Sequence, residues 1–541
     1  MIRGEFQKGI LQRLSDLSQV YIVGGAVRDA QLGIASKDID AVIALPLLEI
    51  EKKLFDWGYK PHLIGAHKQT VSLFHGTDHL DIATFSGDVE ADALRRDFTL
   101  NAIYQEVGTG DINDPLGGLQ DLQERRLKAC GSALNRFKED PIRILRLIRL
   151  AVRYDLAIEQ ETWLAAVELV PHLQEVTVER LTVEFGNILI LKEIDKALGL
   201  LDDLGFFRVC IPELARLKGL VQNRYHTKDA WEHTRNVVKN TDPHIILRLA
   251  ALFHDIGKWE TASKECHVWG TIRLTDYGYE VAGFKLQGKN LERWINTEAD
   301  VHGGRLDNYP DTILVKRIKP ARATQSKHFE MVPNGKRHFL QHEKESGRLV
   351  RDILLRFRWS MVLPGGSLGE REVEYLVGHH MLGTLTFGGQ FKGEIDKTKF
   401  RKKTRRFAWE IGWNGKTYDQ QRVDSILDLW RADFLGGKQD AAETIERFDE
   451  IQGEIRKACA YLVERASRLD WAHFGEFARG KGLAGEQYGR FKEQVRYQVM
   501  MDPRYRMTES QFLEREYQFY KKPSLLTTTQ LKLSESAGNK P

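Results

Sequence analysis

An apolar run, Tyr21-Ile22-Val23, stops at Gly24-Gly25, passes through Arg28-Asp29 and a short helical stretch, and is followed by Asp38-Ile39-Asp40 leading into Ala41-Val42-Ile43. No other stretch constrains the fold as tightly. The first run reads as a buried strand, and the glycine pair lets the backbone come close to whatever lies at its end. Asp38 and Asp40 alternate on a second strand, so their carboxylates point to the same side. Two carboxylates on one strand face repel unless a hard cation sits between them. Mg²⁺ suits that position, because it takes oxygen ligands and bridges carboxylates to substrate phosphates. A third acid stands in the alternating segment His79-Leu80-Asp81-Ile82-Ala83. Three acids on adjacent strands beside a Gly-Gly turn point to two-metal phosphoryl or nucleotidyl transfer. A solvated turn with incidental acids is the competing reading of the bare Asp-x-Asp.

Further motifs follow in order: Arg95-Arg96-Asp97-Phe98-Thr99-Leu100-Asn101-Ala102, Asp114-Pro115-Leu116-Gly117-Gly118, and Glu139-Asp140-Pro141-Ile142-Arg143-Ile144-Leu145-Arg146. Together with Gly24-Gly25-Ala26-Val27-Arg28-Asp29 and Asp38-Ile39-Asp40 they resemble the bacterial-type (class II) tRNA nucleotidyltransferase and poly(A) polymerase family. The resemblance is dense over 20–190, continues as an HD-domain pattern to about 440, and then fades. It implies that Asp38 and Asp40 hold Mg²⁺ and that Asp81 activates an RNA 3′-hydroxyl. It also implies that Gly24, Gly25, Arg28, Arg96, Asp97 and Asn101 hold the triphosphate and ribose. Guanidinium forks match phosphate oxygens on chemical grounds as well.

Asp140 and Arg143 lie three apart on a helical pattern whose apolar side is Ile142, Leu145, Ile148 and Leu150, so they are expected to share one face. A carboxylate accepts from an exocyclic amino group, and a guanidinium donates to a ring nitrogen or carbonyl; together they can read a base edge. Cytosine and adenine both offer an amino donor beside an acceptor. The resemblance implies the same: Glu139, Asp140, Arg143 and Arg146 would select CTP or ATP without a nucleic-acid template. A surface ion pair is the alternative, and Arg146, Arg149 and Arg153 extend the cationic stripe.

A second candidate site begins at His233 and continues at His254-Asp255, after the apolar run Ala250-Ala251-Leu252-Phe253. Imidazoles from two helices with an adjacent Asp form a metal site of the HD phosphohydrolase type, completed if Asp433 returns on a late helix. It would take Ni²⁺, Mn²⁺ or Mg²⁺ and hydrolyse a phosphoester such as a 2′,3′-cyclic phosphate. His342 and His379-His380 are expected nearby as supporting or phosphate-binding groups. Between Thr261 and His342 the chain departs from the family pattern. Thr271-Ile272-Arg273-Leu274 and Thr312-Ile313-Leu314-Val315-Lys316 alternate like strands and predict a β-containing insertion able to displace the His/Asp site.

At 541 residues, several domains are expected. The fold class is α+β. A mixed-sheet nucleotidyltransferase head would span 1–130, a helical neck 131–200, and an HD domain 201–440 with the insertion at about 262–338. A helical RNA-binding body would span 441–523 and a disordered tail 524–541. The amphipathic spacing of Ile10, Leu11, Leu14 and Leu17 predicts a leading helix. No long apolar run and no signal-peptide order is present, so no membrane and a cytoplasmic setting are expected. Cys130, Cys210, Cys266 and Cys459 form no Cys-x-x-Cys, which excludes a local zinc ribbon.

The formal net charge of +4 is small for a nucleic-acid binder, so an RNA surface must come from local asymmetry. Lys392 to Arg406, interleaved with Phe391, Phe400 and Phe407, offers phosphate contact plus base stacking, with a solvated basic loop as the competing reading. The expected partners are tRNA, CTP and ATP. The alternatives are poly(A) polymerase activity on mRNA, and an HD phosphohydrolase or RNA-binding protein with an inactive head. The segment from Asp81 to Arg95 looks too short for the mobile element that, in the family, exchanges CTP for ATP. Addition of CC alone, with a separate A-adding enzyme as partner, is therefore favoured.

Overall fold

The computed structural model describes residues 5–36, 38–64, 70–76, 78–85, 88–220, 229–267, 272–275, 278–281, 284–286, 312–315, 332–339, 341–388, 397–413, 418–437, 442–466, 471–501 and 510–521. The head is a seven-stranded mixed sheet. Its strands are β1 (Val20–Val23), β2 (Asp38–Ile43), β3 (His62–Ile64), β4 (Thr70–His75), β5 (Asp78–Thr84), β6 (Tyr104–Glu106) and β7 (Ile112–Asn113). They lie in the order β3-β4-β5-β2-β1-β6-β7. Only β2 and β5 run parallel in this sheet, and their register sets Asp40 opposite Asp81.

Helices α1 (Glu5–Ser15), α2 (Gly25–Gln31) and α3 (Leu47–Asp56) contribute to the core on one sheet face. Ile10, Leu11 and Leu14 are buried there as their spacing requires, but Leu17 lies past the helix end and is exposed. On the other face, Tyr21, Val23, Val42 and Tyr104 pack with Ala93 of α4 (Val89–Leu94).

After α5 (Gly118–Gln123), which still belongs to the head, the neck begins with α6 (Ala133–Glu139) and α7 (Arg143–Arg153). The sequence pattern suggested one continuous helical face for Asp140 and Arg143, and here the structure corrects it. Asp140 is extended, with φ −149° and ψ 93°, and α7 starts only at Arg143. Pro141 is the cause: its ring crowds the preceding residue out of the helical region, while its fixed φ suits the start of the next helix.

Ile144, Leu145, Leu147, Ile148 and Ala151 of α7 are buried in a core that runs on without interruption to Leu462. Neck and helical domain are thus welded by apolar contact. Phe185, on the helix Val178–Leu189, packs on Phe206 at 5.2 Å and on Trp359 at 6.1 Å between ring centroids.

Among the described residues, the β-containing insertion forms two small sheets. Ala262–His267 pairs in parallel with Thr312–Val315 and antiparallel with Val332–Phe339. Ile272–Thr275, Gly278–Val281 and Phe284–Leu286 form a separate meander. Because Ala262 pairs with Phe339, the insertion leaves and returns at one point. The His/Asp site it interrupts is not displaced.

Four helices follow: Ala442–Ala466, Trp471–Gly480, Gly485–Met501 and Ser510–Lys521. The aromatics Phe474, Phe491, Phe512 and Tyr517 form their own small core. Phe400 and Phe407, expected to stack on bases, are buried in the helix Lys397–Gly412, so the aromatic period of that basic segment serves packing. Residues 392–396 and Phe391 lie outside the described residues, as does the tail from 524. Among the described residues, no helix is long and apolar enough to cross a membrane.

Truncating a buried phenylalanine costs about 3–5 kcal/mol. Phe185→Ala is therefore expected to lower the urea midpoint of the neck and helical domain, measured by far-UV circular dichroism, with little change in the slope of the transition.

Candidate active site and a second His/Asp centre

A cleft of about 520 Å³ opens between head and neck. Gly24, Gly25, Arg28, Asp38, Asp40, Arg96, Asp97 and Asn101 line it from the head, and Asp140, Arg143, Arg146 and Arg149 from the neck. Gly24 has φ +76°, and a Cβ there would stand 3.3 Å from Asp40 Oδ2 and 4.0 Å from Arg96 Nη1. Strand end, acid and arginine therefore meet at a point where only a bare backbone fits.

Asp38 is open to solvent, with its side chain 82% exposed. Asp40 is crowded by the surrounding protein, and that desolvation, followed by the Asp81 charge, raises its carboxyl pKa. Arg96, Arg146 and His79 oppose the shift. Asp81 accepts a hydrogen bond from Ser72 Oγ and lies 2.9 Å from His79 Nε2. His79 is itself stacked on Phe74 at 4.3 Å.

Each arginine in the cleft is aimed by a partner. Arg96 donates to Asp92 Oδ2 at 3.0 Å and to Tyr104 Oη at 2.9 Å. Arg28 is buried; it donates to Asp29 at 2.7 Å, Asn101 at 2.5 Å and Tyr154 at 2.6 Å. Arg146 pairs with Asp97 at 2.7 Å. Burial alone would raise the Asp97 carboxyl; Arg146, with Asn101 and the Phe98 amide, brings it below the usual range. Arg149 is paired with Glu184, whereas Arg153 lies over the Tyr154 ring and is not among the cleft-lining residues.

Asp140 and Arg143 are brought to the same cleft by different means. The extended Asp140 carboxylate accepts from Arg180 at 2.7 Å. Arg143 donates to the carbonyls of Arg136 and Arg95 at 3.2 and 3.1 Å, and reaches Glu139 Oε2 at 3.4 Å. Glu139 sits behind Arg143 rather than in the cleft lining. Glu179 and Arg180 stand on the first turn of the helix Val178–Leu189. Glu179 joins Arg358 across to the helical domain, and Arg180 orients Asp140. Asp92, Tyr104 and Tyr154 gave no signal in the sequence, because they act only on other side chains.

The second centre lies within the helical domain. His233 on the helix Ala230–Lys239, His254-Asp255 at the end of Ile245–Phe253, and Asp433 on Gln420–Gly437 converge as expected. His233 Nε2 is 2.9 Å from Asp433, and His254 Nε2 is 3.0 Å from Asp255. His342 and His380, expected only nearby, reach the opposite oxygen of Asp255 at 3.2 and 3.7 Å. His379 turns away and stacks on Tyr375 at 4.1 Å. Two glycines permit this closeness. A Cβ on Gly257 would lie 2.7 Å from the His342 carbonyl oxygen, and one on Gly436 would lie 2.7 Å from Val237 Cγ2. Burial would raise the Asp255 carboxyl, but His254 and Lys258 hold it well below its usual range. Burial pushes the His380 imidazole down to about 3, so it is neutral at physiological pH.

Comparison with known proteins agrees with this architecture. Residues 20–128 match the poly(A) polymerase head domain, and residues 155–218 match a probable RNA- and SrmB-binding site of polymerase A. The CCA-adding enzyme of Lactococcus lactis subsp. lactis is 31% identical over 305 residues, covering 50% of this chain and 75% of that one. The CCA-adding enzyme of Geobacillus kaustophilus is 33% identical over 243 residues, covering 41% of this chain and 58% of that one. In fold, the chain is similar to the Bacillus stearothermophilus CCA-adding enzyme in complex with CTP, with TM-score 0.54 and 18% identity over 96% of this chain and 100% of that one. With its mixed-sheet head, its helical body and these relatives, the chain belongs to the class II tRNA nucleotidyltransferase and poly(A) polymerase family as a homologue of the CCA-adding enzymes.

Proposed function

We propose that the cleft between head and neck adds cytidines to the 3′ end of tRNA from CTP, without a template. The observation that carries this reading is the parallel register of β2 and β5. It sets Asp40 against Asp81 beneath Gly24 and Arg96, facing the base-reading wall of Asp140 and Arg143.

A divalent metal accompanies this family, and the oxygen donors of Asp38 and Asp40 fit Mg²⁺. Asp40, crowded beside the charge of Asp81, and the solvent-open Asp38 make a carboxylate donor set that a hard cation relieves; when bound, it neutralises charge on the triphosphate. Asp81, fixed by Ser72 and His79, accepts the proton of the tRNA 3′-hydroxyl. The 3′-oxygen then bonds to the α-phosphorus, the bond to the β-phosphate oxygen breaks, and pyrophosphate leaves. Arg96, held in direction by Asp92 and Tyr104, meets the phosphate charge. Gly24 and Gly25 allow the triphosphate to approach the backbone, and Arg28, with Asp97 and Asn101, shapes the ribose end. Asp140 accepts from the cytosine amino group, and Arg143 donates to its ring nitrogen and carbonyl. Arg146 holds Asp97 and closes the wall.

Restriction to CC follows from what the short segment after β5 is already doing. Asp88 caps α4 by accepting from the amides of Glu90 and Ala91, and Asp92 of the same helix holds both Arg95 and Arg96. A segment committed to orienting a phosphate-binding arginine has little slack to reshape a pyrimidine pocket for a purine. The relatives are named CCA-adding enzymes, which favours full CCA addition as the competing reading.

Asp38→Ala and Asp40→Ala are each expected to abolish nucleotide addition in a primer-extension assay while leaving tRNA retention in a gel-shift assay nearly unchanged. Ordinary turnover by either variant would remove the metal-ligand assignment.

Arg143→Ala should blur CTP choice more than it slows addition. A bidentate base contact is worth about 1–3 kcal/mol of discrimination. Competition between CTP and UTP, read by sequencing the 3′ ends, measures that loss.

The extent of addition is tested by giving the purified chain tRNA ending at the discriminator base, with CTP, ATP or both. CC ends in every CTP-containing reaction are the expected result. Efficient ATP incorporation onto tRNA already ending in CC would establish CCA addition instead. A run of A on an mRNA end would establish poly(A) synthesis.

A further inference from the structure

We propose that His79, stacked on Phe74, reads the 2′-hydroxyl of the ribose that accepts the incoming nucleotide, and so restricts addition to ends that are RNA. This role presupposes that the head extends an RNA 3′ end, with Asp81 taking the proton of the 3′-hydroxyl.

The sheet places these residues by register. Ser72 of β4, Asp81 of β5 and Asp40 of β2 are paired across three neighbouring strands, and two residues away along each strand Phe74, His79 and Asp38 are paired in the same way. Strand side chains alternate between faces, so both rows stand on one side of the sheet. Of these residues, only Asp38 and Asp40 line the nucleotide cleft. The cleft therefore stops at the two metal-binding acids. Asp81, His79 and Phe74 stand beyond them, on the side from which an accepting strand must approach Asp81.

The two edges of the His79 ring differ. Nε2 is covered and lies 2.9 Å from Asp81 Oδ1, close but not aligned as a hydrogen bond. A carboxylate can only accept, so its charge draws the hydrogen of the neutral ring to Nε2 and leaves Nδ1 with a lone pair. Nδ1 lies 3.9 Å from Asp38 Oδ1, beyond hydrogen-bond reach, and meets no other polar partner among the described residues. The His79 side chain is 27% exposed, and with Nε2 covered that opening belongs to the rest of the ring. Phe74, its ring centroid 4.3 Å away and 5° from parallel, fixes the plane of the imidazole while remaining 61% exposed itself.

Ser72 and His79 both meet Oδ1 of Asp81, which leaves Oδ2 for the 3′-hydroxyl. The terminal ribose of an RNA carries a second hydroxyl on the adjoining carbon, so seating the 3′-hydroxyl on Asp81 brings the 2′-hydroxyl toward the ring beside it. A hydroxyl both donates and accepts, and Nδ1 can receive its hydrogen. The exposed ring of Phe74 offers the sugar and its base an apolar surface. A DNA end lacks the 2′ group and leaves Nδ1 without a partner once solvent is displaced, which is how a site built for a hydroxyl rejects the analogue without one. A ring that merely held Asp81 in place would not sense the 2′ position.

The test uses the full chain with Mg²⁺, CTP and tRNA transcripts whose terminal nucleotide carries either ribose or 2′-deoxyribose, and reads kcat/KM for each end. The parent should prefer the ribose end by about tenfold, the order expected when a site loses one hydrogen bond and keeps its own polar group unpaired. A 2′-hydroxyl also alters the reactivity of the neighbouring 3′-oxygen, so the change in that preference between parent and variants is decisive. His79→Ala should reduce the preference by about fivefold or more, and His79→Asn, whose amide reaches the place of Nδ1, should restore most of it. Phe74→Leu should fall between parent and His79→Ala, with KM for CTP unchanged because Phe74 lies outside the nucleotide cleft. If His79→Ala fails to fold, as judged by circular dichroism, Phe74→Leu decides in its place. A parent indifferent to the 2′ group, or an undiminished preference in the deciding variant, overturns the subsite while leaving nucleotide addition standing. A parent that extends neither end overturns the proposed reaction and the subsite with it.

Discussion

Repulsion between Asp40 and Asp81 is the constraint on which the head depends. Parallel pairing of β2 and β5 gives the two residues no freedom to avoid each other, and the Asp40 carboxyl pKa is raised by desolvation first and by the Asp81 charge next. A fold gains nothing in stability from this register; it stores an electrostatic cost that a bound cation removes. The apolar faces on either side of the sheet keep the strands from slipping, since moving one residue would turn Ile39 and Ala41 outward and the acids inward. Stability is thus drawn from the sheet faces and spent at its edge of charge.

The same division governs the arginines. A free guanidinium samples many directions, and its alignment on a phosphate would then cost entropy at the moment of binding. Here Asp92 and Tyr104 aim Arg96, and Asp97 aims Arg146. Asp29, Asn101 and Tyr154 take up the whole fork of Arg28. Tyr154 follows α7 in the neck, while Asp29 and Asn101 belong to the head. The Arg28 cluster therefore fixes the cleft's width as well as its charge. Arg143 is held on backbone carbonyls and Asp140 on Arg180, so the neck side of the cleft is fixed by the protein's own hydrogen bonds.

What was legible in the sequence was whatever is local. Gly24 announces a close backbone approach, Asp38 and Asp40 announce a strand face, and the period of Ile142, Leu145, Ile148 and Leu150 announces a buried helix side. Pro141 was visible too, yet a period-based reading carried the helix through it and placed Asp140 on the wrong backbone. Phe400 and Phe407 show the opposite failure, because basic neighbours suggested a nucleic-acid face while the 3.6-residue period already said core. The sequence put His342 and His380 only near the His/Asp site, whereas both reach Asp255. A long insertion separates His342 from Asp255, and only the pairing of Ala262 with Phe339 reveals that the chain comes back to where it left.

That return explains how the insertion is tolerated. A segment entering and leaving through adjacent antiparallel strands adds loop entropy that grows only slowly with length, while leaving the flanking helices in place. Its last strand does more than close the loop, since the Phe339 carbonyl accepts from His342 Nδ1 and the Phe339 ring lies 5.6 Å from Lys258 Nζ. The stalk is therefore part of the wall of the His/Asp centre. The two centres of this chain then differ by construction: the head offers oxygen donors in an open cleft, where a strongly hydrated hard cation can keep some of its water. The helical domain offers buried imidazoles with one shared carboxylate, where a cation must shed its water and softer ions gain most. Hydration cost and donor type act in the same direction at each centre, so the donor set of the head suits a hard cation and that of the helical domain a borderline one.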